Sequence, residues 1–411
     1  MLSLLKTPSL RRFFLAHFQS ELGTGAAYVA LLLVAYHRLH SGWAISLVLL
    51  ADFVPGIALG APLGALADRL PRRRLMISAD LLRAGAFVGL AVIPSFGATV
   101  ALALVAGVGS TMYRTSFNAA LPGMVTEEQR SPATALYGMS CSTGMTVGPA
   151  LTALVLLFAP ATLVLAANGV TFLVSAAVLR TLRIDHDAAS PARSNPEPER
   201  TSLWSSTIDG VQSVRRLPGV SMLLFIGLAT VLAGALMNVA EPLLAVGPLH
   251  AGNSGYSVLV AVYGASMAVG SAATARAGSS VRRLRRWLVI GMAVQGAGMI
   301  GSAAAPTLNF AAVSFALTGA GNAFLAGPEV RLLQELVSER LLGRVFGLRD
   351  ALINCGYVLA FVSAGAVLAA LGVQAIFALG GVGLAALSVA AWLGFRPGRS
   401  ADALPALAET A

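Results

Sequence analysis

Carboxylates inside long apolar stretches are the residues of this sequence best suited to do chemistry. Glu21, Asp52 and Glu241 each lie in such a stretch, and no basic neighbour in sequence balances their charge. An ionisable group at bilayer depth is costly and usually functional. Burial favours the neutral acid, which can take up a proton from one side of a membrane and release it to the other. We predict that one or more of the three exchanges a proton or attracts a cationic substrate; the alternative is a structural acid satisfied by its neighbours.

Other polar residues in the apolar stretches have partners within reach. Asp80 and Arg83 are spaced i, i+3, so they can pair on one helix face, and we favour a structural role for them. Arg114 lies near the end of its stretch, where we expect it to reach Asp68 or Asp80. Asn238 precedes Glu241 by one helical turn and could hydrogen-bond that carboxyl or a substrate.

The composition requires a membrane around these residues. Of the 411 residues, 56% are hydrophobic and 11% are charged, whereas soluble domains are roughly 25% charged. The net charge is +10, but the arginines occur in short bursts between apolar stretches instead of forming a basic face for nucleic acid. Cys141 and Cys355 lie in apolar stretches without metal-ligand spacing or a catalytic histidine nearby in sequence.

Twelve stretches reach the roughly 20 mainly apolar residues that a spanning helix needs. The predicted spans are Phe13–His37, Trp43–Ala67, Leu75–Pro94, Thr99–Asn118, Ala133–Phe158, Ala161–Thr181, Val220–Val246, Tyr256–Ala277, Trp287–Ala305, Leu308–Gly327, Leu348–Leu371 and Val373–Phe395.

A polar segment separates the first six spans from the second six. It contains Ser190–Arg200, rich in proline, serine and charge, which predicts a flexible linker, and Trp204–Arg216, which predicts a short amphipathic helix. The predicted domains are therefore a helical bundle over 1–182, a cytoplasmic linker over 183–219, a second bundle over 220–396 and a short tail over 397–411.

Arginine placement predicts the orientation. The even-numbered connections carry nearly all the arginines between spans, and the odd-numbered ones carry only Arg38. Because cytoplasmic loops are enriched in basic residues, we expect both termini to face the cytoplasm.

The two sets of six spans also match in spacing. Phe13 and Val220 begin the first and seventh spans 207 residues apart, and Gly64 and Gly270 open the loops after the second and eighth spans 206 residues apart. Val125–Glu128 and Val337–Arg340 precede the fifth and eleventh spans 212 residues apart. Two matched six-helix halves with a site between them are a known transporter plan.

Two motifs carry a family resemblance. The loop after the second span reads Gly64-Ala-Leu-Ala-Asp68-Arg69-Leu-Pro-Arg72-Arg73-Arg74. We expect Gly64 to allow close helix approach. We expect Asp68 to accept hydrogen bonds from a helix N-terminus and from arginine. Such hydrogen bonds would form a latch that is closed in one conformation and open in another. The alternative is a plain orienting loop.

The fifth span carries Gly144-Met-Thr-Val-Gly148-Pro149, followed by Thr152 and Ala153. Glycine removes side-chain bulk and proline bends the helix, so neighbouring helices can slide. Ordinary small-residue packing would use the same residues.

These residues resemble the major facilitator superfamily, whose signature loop is similar to the first motif and whose exporters carry a motif similar to the second, although Thr152-Ala153 replaces its final glycine pair. The stretches Ala79–Phe87, Ala167–Ala176, Leu203–Val220 and Leu336–Leu348 resemble the branch that exports drugs, macrolides and siderophores. The resemblance implies an all-α membrane protein of twelve transmembrane helices in two pseudo-repeated halves. It also implies that the first and seventh helices line the cavity, which ranks Glu21 and Glu241 before Asp52.

The sequence thus predicts a secondary active exporter, an antiporter in the bacterial plasma membrane that expels a small amphiphilic compound in exchange for protons. A proton-coupled importer of a metabolite and a non-transporting membrane sensor or assembly factor remain the alternatives. We expect a monomer with a small-molecule substrate, protons and the lipid bilayer as its partners. No enzyme active site, cofactor, metal site or nucleic-acid interface is predicted.

Overall fold

A computed structural model describes residues 6–182, 218–275 and 280–394. The side chains of Ala61, Asp68, Pro122, Ser131, Pro218, Glu339, Arg340 and Gly343 lie outside that description, and so do the predicted linker, the predicted amphipathic helix and the predicted tail.

The described part of the chain is helical almost throughout. The helices are α1 Pro8–Leu39, α2 Gly42–Arg69, α3 Arg72–Val92, α4 Phe96–Met124, α5 Glu127–Val155, α6 Ala161–Thr181, α7 Pro218–Val246, α8 Gly252–Ala275, α9 Val281–Ala303, α10 Leu308–Leu336 and α11 Glu339–Gly394.

The last element is two helices joined end to end. Gly372 has φ 80° and ψ 173°, which interrupts the helical backbone of α11. Glycine tolerates this left-handed φ because it has no Cβ. The predicted eleventh and twelfth spans are divided at this residue, so the described chain contains the twelve expected helices.

Several helices extend beyond the predicted spans. The eleventh begins at Glu339 instead of Leu348, and the ninth begins at Val281 instead of Trp287, so the arginine cluster 282–286 forms helical turns instead of a loop. The fourth continues to Met124, six residues past the predicted end. The predicted spans are too short because they were drawn from the apolar residues alone. The backbone remains helical through the polar turns that flank those residues.

Nine helical stretches among the described residues are long and apolar enough to cross a membrane, and the last of them contains both arms of α11. The two helices outside this set are α5 and α9, which are richer in glycine, hydroxyl or arginine residues. Apolar character alone therefore identifies most, but not all, of the twelve.

Arg38, the one arginine in the odd-numbered connections, bonds neighbouring helices. It donates hydrogen bonds to the Leu90 carbonyl at 2.8 Å and to Thr99 Oγ1 at 2.6 Å. The side chain therefore connects the end of α1 to the end of α3 and the start of α4.

Packing divides the chain into two compact units, Met1–Pro196 with Ala251–Ala261, and Glu197–His250 with Val262–Ala411. In the first unit α1 packs on α5 and α6, and α4 packs on α2 and α3. In the second unit α11 packs on α7 and α9, and α9 packs on α10.

The buried cores repeat between the two units. The buried side chains of α1 recur 210 positions later on α7, in the pairs Leu10 and Val220, Phe13 and Leu223, and Phe14 and Leu224. From α3 onwards the spacing is 212, in the pairs Met76 and Leu288, Leu165 and Phe377, and Phe172 and Leu384. The spacing of 212 agrees with the one predicted before the fifth and eleventh spans, whereas the predicted 207 and 206 differ, because the edges of apolar stretches mark repeat positions less well than buried side chains do.

Candidate functional site

The first unit brings Glu21 together with two side chains that its sequence neighbourhood does not reveal. Glu21 Oε1 lies 3.9 Å from Nδ1 of His17, one turn earlier on α1. On the other edge of the imidazole, Nε2 lies 3.9 Å from Sγ of Cys141 on α5. No histidine lies near Cys141 in sequence, but the fold places His17 beside it. The sequence analysis missed this contact because 124 residues of chain separate the two.

Aromatic rings fix the position of the His17 imidazole, which is 1% exposed. The ring lies nearly parallel to Tyr137, with centroids 4.5 Å apart, and stacks less closely on Phe117 and Tyr113 at 6.0 and 6.1 Å. Phe117 and Tyr137 stack on each other at 4.0 Å. The imidazole is held in one plane while the Glu21 side chain, 17% exposed, remains accessible.

The glycine motif of α5 packs directly against this part of α1. A Cβ added to Gly144 would collide with the backbone carbonyl of Glu21, and one added to Gly148 would collide with the backbone of Gly25 and Ala26. Such contact needs glycine at these positions of α5, because a side chain there would collide with the backbone of α1.

Thr152, which replaces the first glycine of the motif's final pair, also joins the two helices. Its hydroxyl donates a hydrogen bond of 2.8 Å to the Ala26 carbonyl on α1 and is buried. The departure from the exporter motif therefore adds a hydrogen bond between α1 and α5 at the point where the glycines end.

Asp80 and Arg83 form a buried ion pair on α3, with Arg83 donating from Nη2 to Oδ1 of Asp80. The Arg83 guanidinium lies over the rings of Tyr113, at 4.5 Å, and Phe172, at 4.2 Å. Cation–π contact and ion pairing together offset the cost of burying this cation.

Asp52 and Arg114 are less enclosed than the sequence suggests. Both side chains are exposed. A Cβ added to Gly56 would lie 3.6 Å from Arg114 Nη2, which places the guanidinium beside α2, one turn from Asp52. Within the described residues Arg114 makes no ion pair, and the partner of Asp80 is Arg83.

The loop between α2 and α3 agrees only in part with expectation. A Cβ added to Gly64 would meet no described atom within 4 Å, so the expected close helix approach at Gly64 is not made by the described residues. Arg73 donates a 2.9 Å hydrogen bond to the carbonyl of Arg180, joining the start of α3 to the end of α6. Arg69 ends α2 and is exposed, and Arg72 is half-buried. The latch itself stays a prediction, since the Asp68 side chain is outside the described part.

The second unit contains the most enclosed of the three predicted acids. Glu241 on α7 is 5% exposed and makes no ion pair with any described residue. It interacts electrostatically with the Tyr263 hydroxyl of α8, which accepts a hydrogen bond from the Asn322 amide of α10. Asn238 is half-buried and makes no hydrogen bond to Glu241 within the described structure.

A second buried ion pair, missed by the sequence analysis, joins α10 to α11. Arg349 donates from Nε to Glu329 Oε1 at 2.9 Å and from Nη2 to Oε2 at 3.1 Å, and Glu329 is 2% exposed. A Cβ added to Gly227 of α7 would lie 2.8 Å from Glu329 Oε1, so that glycine makes room for the carboxylate. The signal that could have revealed the pair is Glu329 itself, an acid two residues after the end of the apolar span predicted to finish at Gly327.

Comparison with known proteins agrees with this fold. The sequence profile of the Major Facilitator Superfamily matches residues 13–284 and 223–410. The chain belongs to this superfamily. It is 25% identical over 87% of its length to the uncharacterized MFS-type transporter YfiS of Bacillus subtilis, covering 86% of that protein. It is 22% identical to macrolide efflux protein A of Streptococcus pyogenes, covering 79% of this chain and 81% of that one.

Solved transporter structures share the fold. The crystal structure of nucleoside transporter NupG matches with a TM-score of 0.72 at 13% identity, covering 94% of this chain and 98% of that one. A POT family transporter in complex with 5-aminolevulinic acid matches with a TM-score of 0.72 at 10% identity, covering 93% and 95%. At such identities the likeness establishes the fold. The chain is a multi-pass membrane protein with the superfamily's two pseudo-repeated six-helix halves.

Proposed function

We propose that this protein is a proton-driven exporter of a small amphiphilic organic compound, and that Glu241 carries the coupled proton, with Glu21 as the second exchanging acid. The two halves, residues 1–182 and 220–396, alternate access to a central site. The protein works as a monomer in the bacterial plasma membrane, with its linker, tail and arginine-rich ends in the cytoplasm.

The lack of an ion-pair partner for Glu241 is the observation that carries the proton assignment. Three acidic side chains are fully buried among the described residues, and two of them, Asp80 and Glu329, are paired with arginine. Glu241 is not. Because an unpaired carboxylate is costly inside a membrane protein, this residue can be enclosed when it holds a proton and released when it does not.

The direction of transport rests on two further observations. The macrolide efflux proteins of Streptococcus pyogenes and Enterococcus faecalis, each 22% identical, are exporters by name. The exporter-type glycines also lie at the contact between α1 and α5, against the backbone of Glu21. Helix sliding at that contact would move one of the two proposed exchanging acids.

The test is substrate-driven proton movement in proteoliposomes, with a macrolide and a fluorescent amphiphilic cation as probes. Glu241→Gln should abolish accumulation driven by a pH gradient and leave membrane insertion intact. Glu21→Gln should lower it less. The matched control is Glu335→Gln, an exposed acid on α10, which should transport like the unmodified protein.

Expression in a drug-hypersensitive bacterial host decides the direction. An exporter raises resistance to at least one probe, whereas an importer increases uptake or sensitivity. If no substrate moves protons and Glu241→Gln has no phenotype, the non-transporting alternative holds and the proposal is wrong.

A further inference from the structure

We propose that His17, Glu21 and Cys141 form a binding site for one thiophilic divalent metal ion, with Zn²⁺ as the best match. The observation is the convergence of three different ligand types from two helices. One ligand atom from each side chain lies within 4.8 Å of the other two.

The separations are close to those of a coordinated ion. Zinc binds sulfur at about 2.3 Å and nitrogen or oxygen at about 2.0–2.2 Å, which puts tetrahedral ligand atoms roughly 3.3–3.7 Å apart. Cys141 Sγ is 3.9 Å from His17 Nε2, and the nearest Glu21 oxygen is 3.9 Å from the other ring nitrogen, Nδ1. Because one ion binds only one imidazole nitrogen, either Glu21 or Cys141 must rotate toward the nitrogen that it does not face, within the 4.8 Å that separates the three ligand atoms. The aromatic stack keeps His17 in place during that rotation.

The ligand set selects the class of ion. Thiolate and imidazole favour Zn²⁺ and its neighbours over Mg²⁺ or Ca²⁺, which prefer oxygen ligands. A cysteine thiolate and a glutamate carboxylate together neutralise a divalent charge, so the loaded site carries no net charge in an apolar surrounding. Binding displaces the thiol proton of Cys141, and the proton of Glu21 when that acid holds one, to water. Glu21 therefore exchanges protons only while the metal site is empty.

Access and backbone packing favour the same site. The Glu21 side chain is 17% exposed and Cys141 is partly exposed, so an ion can enter although His17 is buried. Gly144, one turn after Cys141, lets α5 touch the backbone of Glu21 and thereby sets the distance between the ligands. Three protein ligands leave a fourth position for water.

The second half provides an internal comparison. The spacings of 210 and 212 place Gly227, Val231 and Ile353 at the positions equivalent to His17, Glu21 and Cys141. None of these side chains binds metal. Among the residues that the structure describes the site is therefore single, which gives the expected stoichiometry and supplies a matched control, because the remaining cysteine, Cys355, lies in that half.

The experiment is cobalt titration of the full chain, purified in detergent without a polyhistidine tag. The unmodified protein and Cys355→Ser should bind a single Co²⁺, with a thiolate-to-cobalt charge-transfer band and the intense visible bands of four-coordinate cobalt, and Zn²⁺ should displace it. Cys141→Ser should lose the charge-transfer band. Glu21→Gln should keep that band but bind Co²⁺ at least about tenfold more weakly.

Weak octahedral cobalt spectra in the unmodified protein would overturn the proposal. So would a charge-transfer band that disappears in Cys355→Ser instead of Cys141→Ser, or unchanged affinity in Glu21→Gln. The readout needs no transport, so failure of metal binding leaves the proposed export intact, and failure of export leaves the metal site intact.

Discussion

The two halves of this protein bury their charges at different positions of the same repeated framework. In the first half the ion pair lies on α3, between Asp80 and Arg83, and 212 positions later the second half has Met292 and Gln295. In the second half the ion pair joins Glu329 to Arg349.

The positions equivalent to Glu329 and Arg349 in the first half are Phe117 and Tyr137, which stack at 4.0 Å. The same helix-to-helix contact is thus made by two aromatic rings in one half and by a bidentate ion pair in the other. The repeat therefore conserves which positions touch, while the chemistry of the contact is free to differ.

The proposed exchanging acids differ in the same way. Glu21 corresponds to Val231, and Glu241 corresponds to Leu31. The two acids lie at different depths of their helices, offset by ten residues of repeat, or about 15 Å along a helix. The resemblance ranked them together because it implies that both of their helices line the cavity, but the two acids do not occupy equivalent positions of the repeat.

Breaking the ion pair of the second half should have the largest effect on stability. Glu329→Gln removes the bidentate carboxylate partner of Arg349, which is 18% exposed and keeps Asp350 at 3.5 Å. The loss should therefore approach, but not exceed, the about 3–5 kcal/mol that removing one partner of a fully buried pair costs. Unfolding in mixed detergent micelles measures the loss.

Combining Glu329→Phe with Arg349→Tyr restores the contact of the first half and should cost less than Glu329→Gln alone. A double variant at least as unstable as that single variant would show that the two contacts are not interchangeable.

The next largest effect on stability should come from replacing a first-half glycine at a close helix contact by the residue at the equivalent second-half position. The position equivalent to Gly148 is Ala360. Gly148→Ala drives a Cβ into the backbone of α1 and should destabilise the protein by about 1–3 kcal/mol. Gly138→Ala on the same helix is the control, because its added Cβ would meet no atom of the described residues within 4 Å. Thermal unfolding followed by size exclusion compares the two, and equal midpoints would contradict the described α1–α5 contact.

Removing the hydrogen bond between α1 and α5 should have the smallest effect. Thr152→Val keeps the side-chain shape but loses the bond to the Ala26 carbonyl, at a cost of about 0.5–1.5 kcal/mol. Thr115→Val, whose hydroxyl bonds only carbonyls of its own helix, is the matched control. If Thr115→Val lowered the free energy of unfolding more than Thr152→Val does, the bridging role of the Thr152 hydroxyl would be contradicted.

Sequence could predict the features that depend on one helix. The break at Gly372, the i, i+3 spacing of Asp80 and Arg83, and the glycines of α5 are local patterns. The encounters of Glu329 with Arg349 and of His17 with Cys141 depend on helix rotation and on distant segments, which hydropathy does not specify. For the same reason the exposure of Asp52 and the open space beside Gly64 could not be read from the sequence.

The most direct test of the central claim is infrared difference spectroscopy of the reconstituted protein between mildly acidic and mildly alkaline buffer. The account predicts a titrating band of a protonated carboxyl group that Glu241→Gln removes and Glu335→Gln leaves unchanged. A spectrum in which Glu241→Gln retains the whole band would contradict the assignment of the coupled proton to Glu241.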